Sequence, residues 1–115
     1  RAVAFMDISP ATPGHVLVVP RTHTPDLLDA DPSDLAACVS LAQHVARLQR
    51  DRLGAAGVNV LQSSGTAAWQ TVFHLHLHMI PRYDGDPLVL PWRPTAGDPA
   101  EIASVAAKLD DAGPA

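Results

Sequence analysis

An alternating run of histidines and apolar residues constrains the fold of this chain more than any other feature. Successive side chains of a β-strand point to opposite faces of a sheet, so His74, His76 and His78 are expected to share one face. The intervening apolar residues then form the other face, which we expect to pack under a helix. The run therefore predicts a half-buried strand whose polar face must be covered by water or by a ligand.

The remaining sequence predicts an α+β fold. Apolar runs bounded by proline and glycine predict three more strands, at residues 3–8, 15–19 and 58–62. A long amphipathic helix is expected to begin after Asp31-Pro32 and to end near Gly54, and a shorter helix to begin after Asp98-Pro99. We expect an antiparallel sheet of about five strands with one long and one short helix.

Length, charge and cysteine content narrow the possible functions. The 115 residues suit a single domain, and the net charge of −4 argues against broad binding to nucleic acid. No apolar run approaches the ~20 residues that a membrane span needs. Cys38 is the only cysteine, which leaves no intrachain disulfide and fits a cytoplasmic setting. Because the chain opens in the middle of an expected strand, we expect an N-terminal segment to be missing before Arg1.

Three interpretations of the histidine run remain open at this point. The histidines are polar residues of a solvated face, ligands of a metal such as zinc, or the centre of a nucleophilic site. Three histidines on one face make the first interpretation the weakest. Their spacing alone does not separate a metal site from nucleophilic catalysis.

The residues around the run resemble the signature of the histidine triad (HIT) superfamily, which is His-φ-His-φ-His-φ-φ with φ apolar. A second block resembles the same family: Asp7-Ile8-Ser9-Pro10, followed by residues 14–23. The two blocks cover most of residues 5–82. The resemblance implies a single HIT-like domain over residues 1–115, usually homodimeric, with a variable C-terminal segment at residues 83–115.

The resemblance implies a reaction at the α-phosphate of a nucleotide. His76, the middle histidine, is the expected nucleophile, and a nucleotidyl-histidine intermediate would form and be released by water. His78 and His15 are expected to donate hydrogen bonds to phosphate oxygens, and His74 to orient His76. Because the third histidine is retained at His78, hydrolysis is favoured over transfer to a sugar phosphate.

The resemblance also implies a nucleotide-binding set: Asp7, Ile8, Phe5, Ser63, Trp69, Gln70 and Thr71. In this set Asp7 would bind the ribose hydroxyls, and the two apolar residues beside it would line the base pocket. Trp69, Gln70 and Thr71, in the loop before the triad, would touch the phosphate and the leaving group. Ser63 departs from relatives that carry an amide there, so its contact with the nucleotide is an open question.

The expected activity is that of a metal-independent hydrolase or transferase. Its substrate would be a purine nucleoside phosphoramidate, an adenylylated adduct or a dinucleoside polyphosphate. No cofactor is expected for catalysis; a structural zinc on His23 and His74 would need cysteines that precede Arg1. Expected partners are the nucleotide and a second copy of the chain, without nucleic acid or membrane. The alternative is a metal-binding or nucleotide-binding interaction module with little turnover.

Overall fold

The structure, a computed structural model, describes residues 1–110 and contains one antiparallel sheet in that range. Its four strands are β1 (Ala2–Met6), β2 (Val16–Pro20), β3 (Gly57–Leu61) and β4 (Leu77–Arg82), in the order β1-β2-β4-β3. The α+β class is confirmed. The expected number of about five strands is one too many for the described residues.

The long helix α1 (Pro32–Leu53) begins and ends where its capping residues predict. The carboxylate of Asp31 accepts a hydrogen bond from the Ser33 amide at 2.7 Å, and Pro32 occupies the first turn. Gly54 ends the helix in the left-handed conformation, with φ 69°. An L side chain is disfavoured at this φ, which explains why a glycine stands there.

Helix α1 packs across one face of the sheet and forms the core with it. The buried cluster consists of Val18, Cys38, Ala42, Val45 and Met79. Cys38 is 1% exposed, as expected of a small core residue, and burial raises the pKa of its thiol. Leu77 and Met79 of β4 face this core, so His78 between them projects from the opposite face of the sheet.

Strand β4 begins three residues later than the histidine pattern predicts. His74 and His76 precede the strand, and only His78 lies within it. The reason is that the segment before Leu77 uses other hydrogen-bond partners: the Leu75 amide donates to the Thr24 carbonyl at 2.7 Å. The two earlier histidines are therefore held by individual hydrogen bonds, from His74 to the Pro20 carbonyl and from His76 to the His74 carbonyl, and not by a strand ladder.

The second helix, α2 (Pro99–Leu109), is capped by Asp98, whose carboxylate accepts from the Ala100 amide at 3.3 Å. All of its residues are exposed. Within residues 1–110, α2 does not pack on α1 or on any strand. In the same range, neither helix combines the length and the apolar content that a membrane crossing demands.

Candidate active site

One nitrogen of His76 is held by the main chain and the other is left with a lone pair. Its Nδ1 atom lies 2.8 Å from the carbonyl oxygen of His74. A carbonyl only accepts, so Nδ1 must carry the proton and donate it. A neutral imidazole has one N–H, so Nε2 is then unprotonated and can act as a nucleophile.

His15 and His78 form a second pair, and a main-chain amide sets its protonation. The Ala11 amide donates to Nδ1 of His15 at 3.0 Å, so the proton of a neutral His15 lies on Nε2. That Nε2 is 3.0 Å from Nδ1 of His78, which must accept. His78 is then left with its own proton on Nε2, as a hydrogen-bond donor.

This arrangement places His15 behind His78. His15 is only 4% exposed, and both of its ring nitrogens are engaged by protein atoms. A direct hydrogen bond from His15 to a phosphate, which the sequence led us to expect, does not fit this geometry. Its physical role here is to fix the tautomer of His78, whose ring centre lies 4.9 Å from that of His76.

Asp7 joins the pair at the end of β1. Its Oδ2 atom lies 3.5 Å from Nε2 of His15, and its Oδ1 accepts from the Ser9 amide at 2.8 Å. The Asp7 amide donates to the His15 carbonyl at 3.0 Å, which ties the end of β1 to the start of β2. One carboxylate oxygen thus remains beside the histidines.

The environment keeps the paired imidazoles neutral. Burial lowers the pKa of His15, and the nearby carboxylate of Asp7 opposes this shift. Burial also lowers the pKa of His78, and the neighbouring His76 and His15 lower it further, while Asp7 raises it. Both groups are therefore neutral at pH 7, as the hydrogen bonds described above require.

The ligand atoms of Asp7, His15 and His78 all lie within 4.8 Å of one another, a spacing that a metal ion can bridge. Ligation through Nε2 of His15 would require the proton to sit on Nδ1, where a ligating histidine normally donates to an acceptor. Here Nδ1 instead faces the Ala11 N–H. The Ala11 amide therefore favours the His15–His78 hydrogen bond over ligation of a metal through Nε2 of His15.

His23 and His74 form a further pair, in which the main-chain partner accepts a hydrogen bond from the ring instead of donating one. Nε2 of His74 donates to the Pro20 carbonyl at 2.9 Å, which leaves a lone pair on its Nδ1. That Nδ1 lies 3.2 Å from Nδ1 of His23, close to the spacing of two nitrogens on one zinc ion. This pair, unlike the cluster at Asp7, has the second-shell contact that metal ligands use.

An apolar cavity of about 390 Å³ opens on the sheet face that carries the histidines. Its lining consists of Phe5, Leu17, Val19, Val72, His74 and His76. Phe5 was expected here, whereas Leu17 and Val19 were predicted only to lie on a strand, with no role in the site. Ile8 was expected in the base pocket, yet it is 98% exposed and does not line this cavity.

The loop before the triad is held by the side chain of Gln70, which is 3% exposed. Its Oε1 accepts from the Gly65 amide at 2.7 Å, and its Nε2 donates to the carbonyls of Pro25 at 2.7 Å and Val72 at 3.2 Å. With these bonds in place, the Gln70 side chain is not free to bind a nucleotide directly, as the sequence suggested. It holds the loop in position instead.

The other predicted loop residues are accessible. Thr71 and Trp69 are exposed, and Ser63 is partly exposed. Trp69 stands in the left-handed conformation with φ 75°, the one non-glycine residue with a positive φ in the described part of the chain. The fixed loop therefore presents an indole in a strained backbone position.

Sequence reasoning missed the main-chain groups that set the site. The Ala11 amide determines the tautomer of His15, and the Pro20 carbonyl determines that of His74. A sequence does not show which main-chain groups a side chain will contact. The only signal in the sequence was that turn-forming residues around Ala11 lie close to His15 along the chain.

Comparisons with known proteins identify the family of this chain. The model of the HIT domain matches residues 1–85. An uncharacterised HIT-like protein of Mycobacterium tuberculosis is 45% identical over 86 residues, which are 75% of this chain and 60% of that protein. The adenylylsulfatase HINT3 of Arabidopsis thaliana is 35% identical over 84 residues, 73% of this chain and 43% of that protein. The chain thus spans less than two thirds of the length of these relatives.

Solved structures give the same result. A HIT family protein from Bacillus subtilis has a TM-score of 0.82 and 35% identity, covering 97% of this chain and 84% of that one. That superposition extends into α2. A zinc-bound histidine triad protein from Mycobacterium smegmatis has a TM-score of 0.73 and 38% identity, covering 93% of this chain and 81% of that one.

Proposed function

The chain belongs to the HIT domain family, and from that premise we propose that it hydrolyses a purine nucleotide conjugate at the α-phosphate, with His76 as nucleophile. The observation that carries the proposal is the 2.8 Å hydrogen bond from Nδ1 of His76 to the His74 carbonyl. It directs the lone pair of Nε2 away from the main chain. The His76 side chain also lines the apolar cavity, where a base would bind.

The proposed reaction has two steps. Nε2 of His76 attacks the α-phosphorus, the bond from phosphorus to the leaving group breaks, and the leaving group departs with that electron pair and takes up a proton from solvent. The Nδ1–H bond to the His74 carbonyl stabilises the positive charge that develops on the ring. Water then attacks the phosphorus of the nucleotidyl-histidine, the bond from phosphorus to Nε2 breaks, and its electron pair returns to the ring. One proton of the water passes to solvent, the nucleoside monophosphate is released, and neutral His76 is restored.

His78 would stabilise the charge on the phosphate oxygens. Its Nε2–H is the donor that the bond from His15 leaves available. Because His15 fixes this tautomer, we assign it as a positioning residue and not as a direct phosphate ligand. His74 likewise acts through its carbonyl, by orienting His76.

The nucleoside would occupy the neighbouring surfaces. The cavity of about 390 Å³ is within the size range of small-ligand pockets, and its apolar lining suits a base, for which we propose a purine. The Oδ2 atom of Asp7, which lies 3.5 Å from Nε2 of His15, would accept hydrogen bonds from the ribose hydroxyls. Exposed Ile8 would cover the base from outside the cavity.

The leaving group would lie against the loop before the triad. Trp69 and Thr71 are exposed there, Ser63 is partly accessible, and Gln70 holds their main chain in place. The relative named adenylylsulfatase supports an adenylylated adduct as one substrate class. A nucleoside phosphoramidate and a dinucleoside polyphosphate present the same α-phosphate and remain within the proposal.

A metal has no step in this mechanism. The His23–His74 pair has the geometry to contribute two ligands to a structural zinc, and a zinc-bound relative has been solved. We also propose that the protein works as a homodimer in the cytoplasm and binds neither nucleic acid nor membrane. A nucleotide-binding module with little turnover is the second candidate, because it would use the same cavity.

Single-turnover hydrolysis of a fluorogenic adenosine phosphoramidate tests the proposal. We expect His76→Ala to keep nucleotide binding but to lose on the order of 10³-fold or more in rate, as when a covalent nucleophile is removed. His44→Ala, at an exposed position of α1, is the matched control and is expected to keep the wild-type rate. A strong chelator should leave all rates unchanged.

Other outcomes would reject the proposal in distinct ways. Nucleotide binding without turnover in the wild type would favour the interaction module. Activity that disappears with the chelator and returns with zinc would make the triad a metal site.

A further inference from the structure

The side chain of Gln49 connects helix α1 to the two segments that carry the His15–His78 pair. Gln49 lies in the last two turns of α1 and is 2% exposed. Its Nε2 atom donates to the carbonyl oxygen of Gly14 at 3.0 Å and to that of Met79 at 3.0 Å. Gly14 directly precedes His15, and Met79 directly follows His78. One amide group therefore bridges the main chains of the two segments.

The bridge lies where the ladder between β2 and β4 ends. The last paired residues are Val16 and Met79, and Gly14 lies two residues beyond that pair. Two carbonyls cannot bond to each other, because both only accept. A neutral side-chain amide has two N–H groups on one nitrogen, so Gln49 can satisfy both carbonyls and fix their separation without burying a charge.

Helix α1 and the main chain at Gly14 approach each other closely. Gly14 has φ 93°, and a Cβ atom at this position would collide with the side chain of Leu53, one turn after Gln49 in α1. The absence of a side chain at position 14 lets the main chain pass against the helix. This approach brings the Gly14 carbonyl within reach of the Gln49 amide.

Two other side chains tie the same loop to the end of β4. The Thr12 hydroxyl donates to the Pro81 carbonyl at 2.6 Å, and the Tyr83 hydroxyl donates to the Pro13 carbonyl at 2.6 Å. Both contacts lie farther along the chain from the histidine pair than the Gln49 bridge does. Of these three anchors, the bridge is therefore the one placed to control the geometry of the pair.

The orientation of the Gln49 amide follows from the bridge. Among residues 1–110, its Oε1 atom is buried and has no hydrogen-bond partner. Reversing the amide would turn Oε1 toward the carbonyls of Gly14 and Met79 and set acceptors against acceptors. An unpaired buried oxygen is destabilising, but an apolar side chain of the same size would avoid it only by leaving both carbonyls without these donors.

We propose that Gln49 is a positioning residue for the His15–His78 hydrogen bond and acts from the helix side of the sheet. Helix α1 packs on the face that carries Met79, whereas the His78 ring projects from the opposite face, so Gln49 acts through the main chain. By holding the two segments together, it keeps Nε2 of His15 at 3.0 Å from Nδ1 of His78 and the His78 proton on Nε2. The consequence for the rate rests on the proposed function; the effect on the hydrogen bond does not.

Gln49→Met tests the inference, because methionine has a similar length and donates no hydrogen bond. We expect nitrogen NMR without substrate to show a mixture of His78 tautomers in this variant, whereas the wild type shows the proton on Nε2. The kcat for the adenosine phosphoramidate should fall about tenfold with little change in KM, because the His78 donor acts in the transition state. The melting temperature should fall by about 10 °C.

Val45→Ala is the matched control. Val45 lies one turn before Gln49 on the same side of α1 and belongs to the core. Its truncation should lower the melting temperature by about the same amount but leave the His78 tautomer and kcat at their wild-type values. If the methionine variant does not fold, Gln49→Asn replaces it. The shorter asparagine can donate to one of the two carbonyls at most, so the same changes are expected at a smaller size.

The outcomes separate the inference from the proposed function. An unchanged His78 spectrum in the folded Gln49 variant would overturn the inference, whatever the activity. Equal changes of tautomer and kcat in Val45→Ala would also overturn it, because they would reflect a general loss of stability. A wild type without turnover would reject the proposed hydrolysis, and the NMR comparison would still decide whether Gln49 positions the pair.

Discussion

Nδ1 of His76 lies 2.8 Å from the carbonyl oxygen of His74, and Nδ1 of His15 lies 3.0 Å from the amide nitrogen of Ala11. The two rings meet main-chain groups of opposite polarity. The carbonyl forces a proton onto Nδ1 of His76, and the amide removes it from Nδ1 of His15. One ring thereby becomes a nucleophile at Nε2, and the other becomes a donor at Nε2.

Substitutions at His15 should separate its two contacts. In His15→Gln the amide nitrogen can still donate to His78, whereas in His15→Asn the side-chain oxygen can accept from Ala11 but cannot reach His78. We expect the glutamine variant to lose about tenfold in kcat and the asparagine variant about 100-fold, with little change in KM, because the lost stabilisation belongs to the transition state.

Nitrogen NMR of the His78 imidazole provides the second measurement. The wild type and His15→Gln are expected to show the proton on Nε2, whereas His15→Asn should show a mixture of tautomers. Equal loss in both variants with an unchanged His78 spectrum would assign His15 a purely structural role.

The same pair should make stability depend on pH. The pKa values of His15 and His78 are lowered in the folded state from the ordinary value of 6.5, chiefly by burial. As pH falls below 6.5, the unfolded chain binds protons on these groups before the folded chain does. Their contribution to stability is therefore intact above 6.5 and is lost as pH falls toward the folded-state pKa values.

Thermal melts from roughly pH 8 to roughly pH 5 measure this effect, since histidine is the side chain that titrates in that window. The melting temperature of the wild type should fall below pH 6.5, and that of His15→Gln should fall less over the same window. His44→Ala, at an exposed site, should follow the wild-type curve. Parallel curves for the wild type and His15→Gln would show that the buried pair does not cause the acid sensitivity.

The elements that local chemistry determines could be predicted from the sequence. The cap at Asp31 and the glycine at position 54 define α1 correctly, and the triad pattern places Leu77 and Met79 in the core. The start of β4 could not be predicted, because the Leu75 amide bonds to Thr24, which lies far away in sequence. Tertiary main-chain contacts of this kind are invisible to periodicity.

The residues of the candidate site were likewise predictable only in part. His76 and His78 follow from the motif, whereas the buried position of His15 depends on Ala11 and on the neighbouring strand. Gln70 is the strongest example. Its sequence position suggested contact with a ligand, but three hydrogen bonds to Gly65, Pro25 and Val72 make it part of the loop's internal structure.

Gln70 is accordingly expected to matter first for stability. Gln70→Ala leaves the partly buried Gly65 amide and Pro25 carbonyl without their side-chain partner, at a cost of about 3 kcal/mol. The melting temperature should fall by about 10 °C or more. The control is Gln62→Ala, because the Gln62 side chain bonds, among residues 1–110, only to its neighbours Ser63 and Ser64. An equally stable Gln70→Ala variant with weakened nucleotide binding would instead support direct contact with the ligand.

Trp69 combines a strained main chain with an exposed side chain, and this combination leads to two opposed effects of one substitution. At φ 75° an L residue costs about 1 kcal/mol relative to glycine, and the indole is 65% exposed, so it contributes little packing in return. Trp69→Gly should therefore raise the melting temperature by about 4 °C. Trp92→Gly, at a residue that is 64% exposed but has no positive φ, should not raise the melting temperature.

If the strain at Trp69 is retained because the indole contacts the leaving group, Trp69→Gly should also lose on the order of tenfold in kcat/KM with a bulky leaving group and little with a small one. A variant that is more stable and equally active on both substrates would show that the indole has no part in substrate selection.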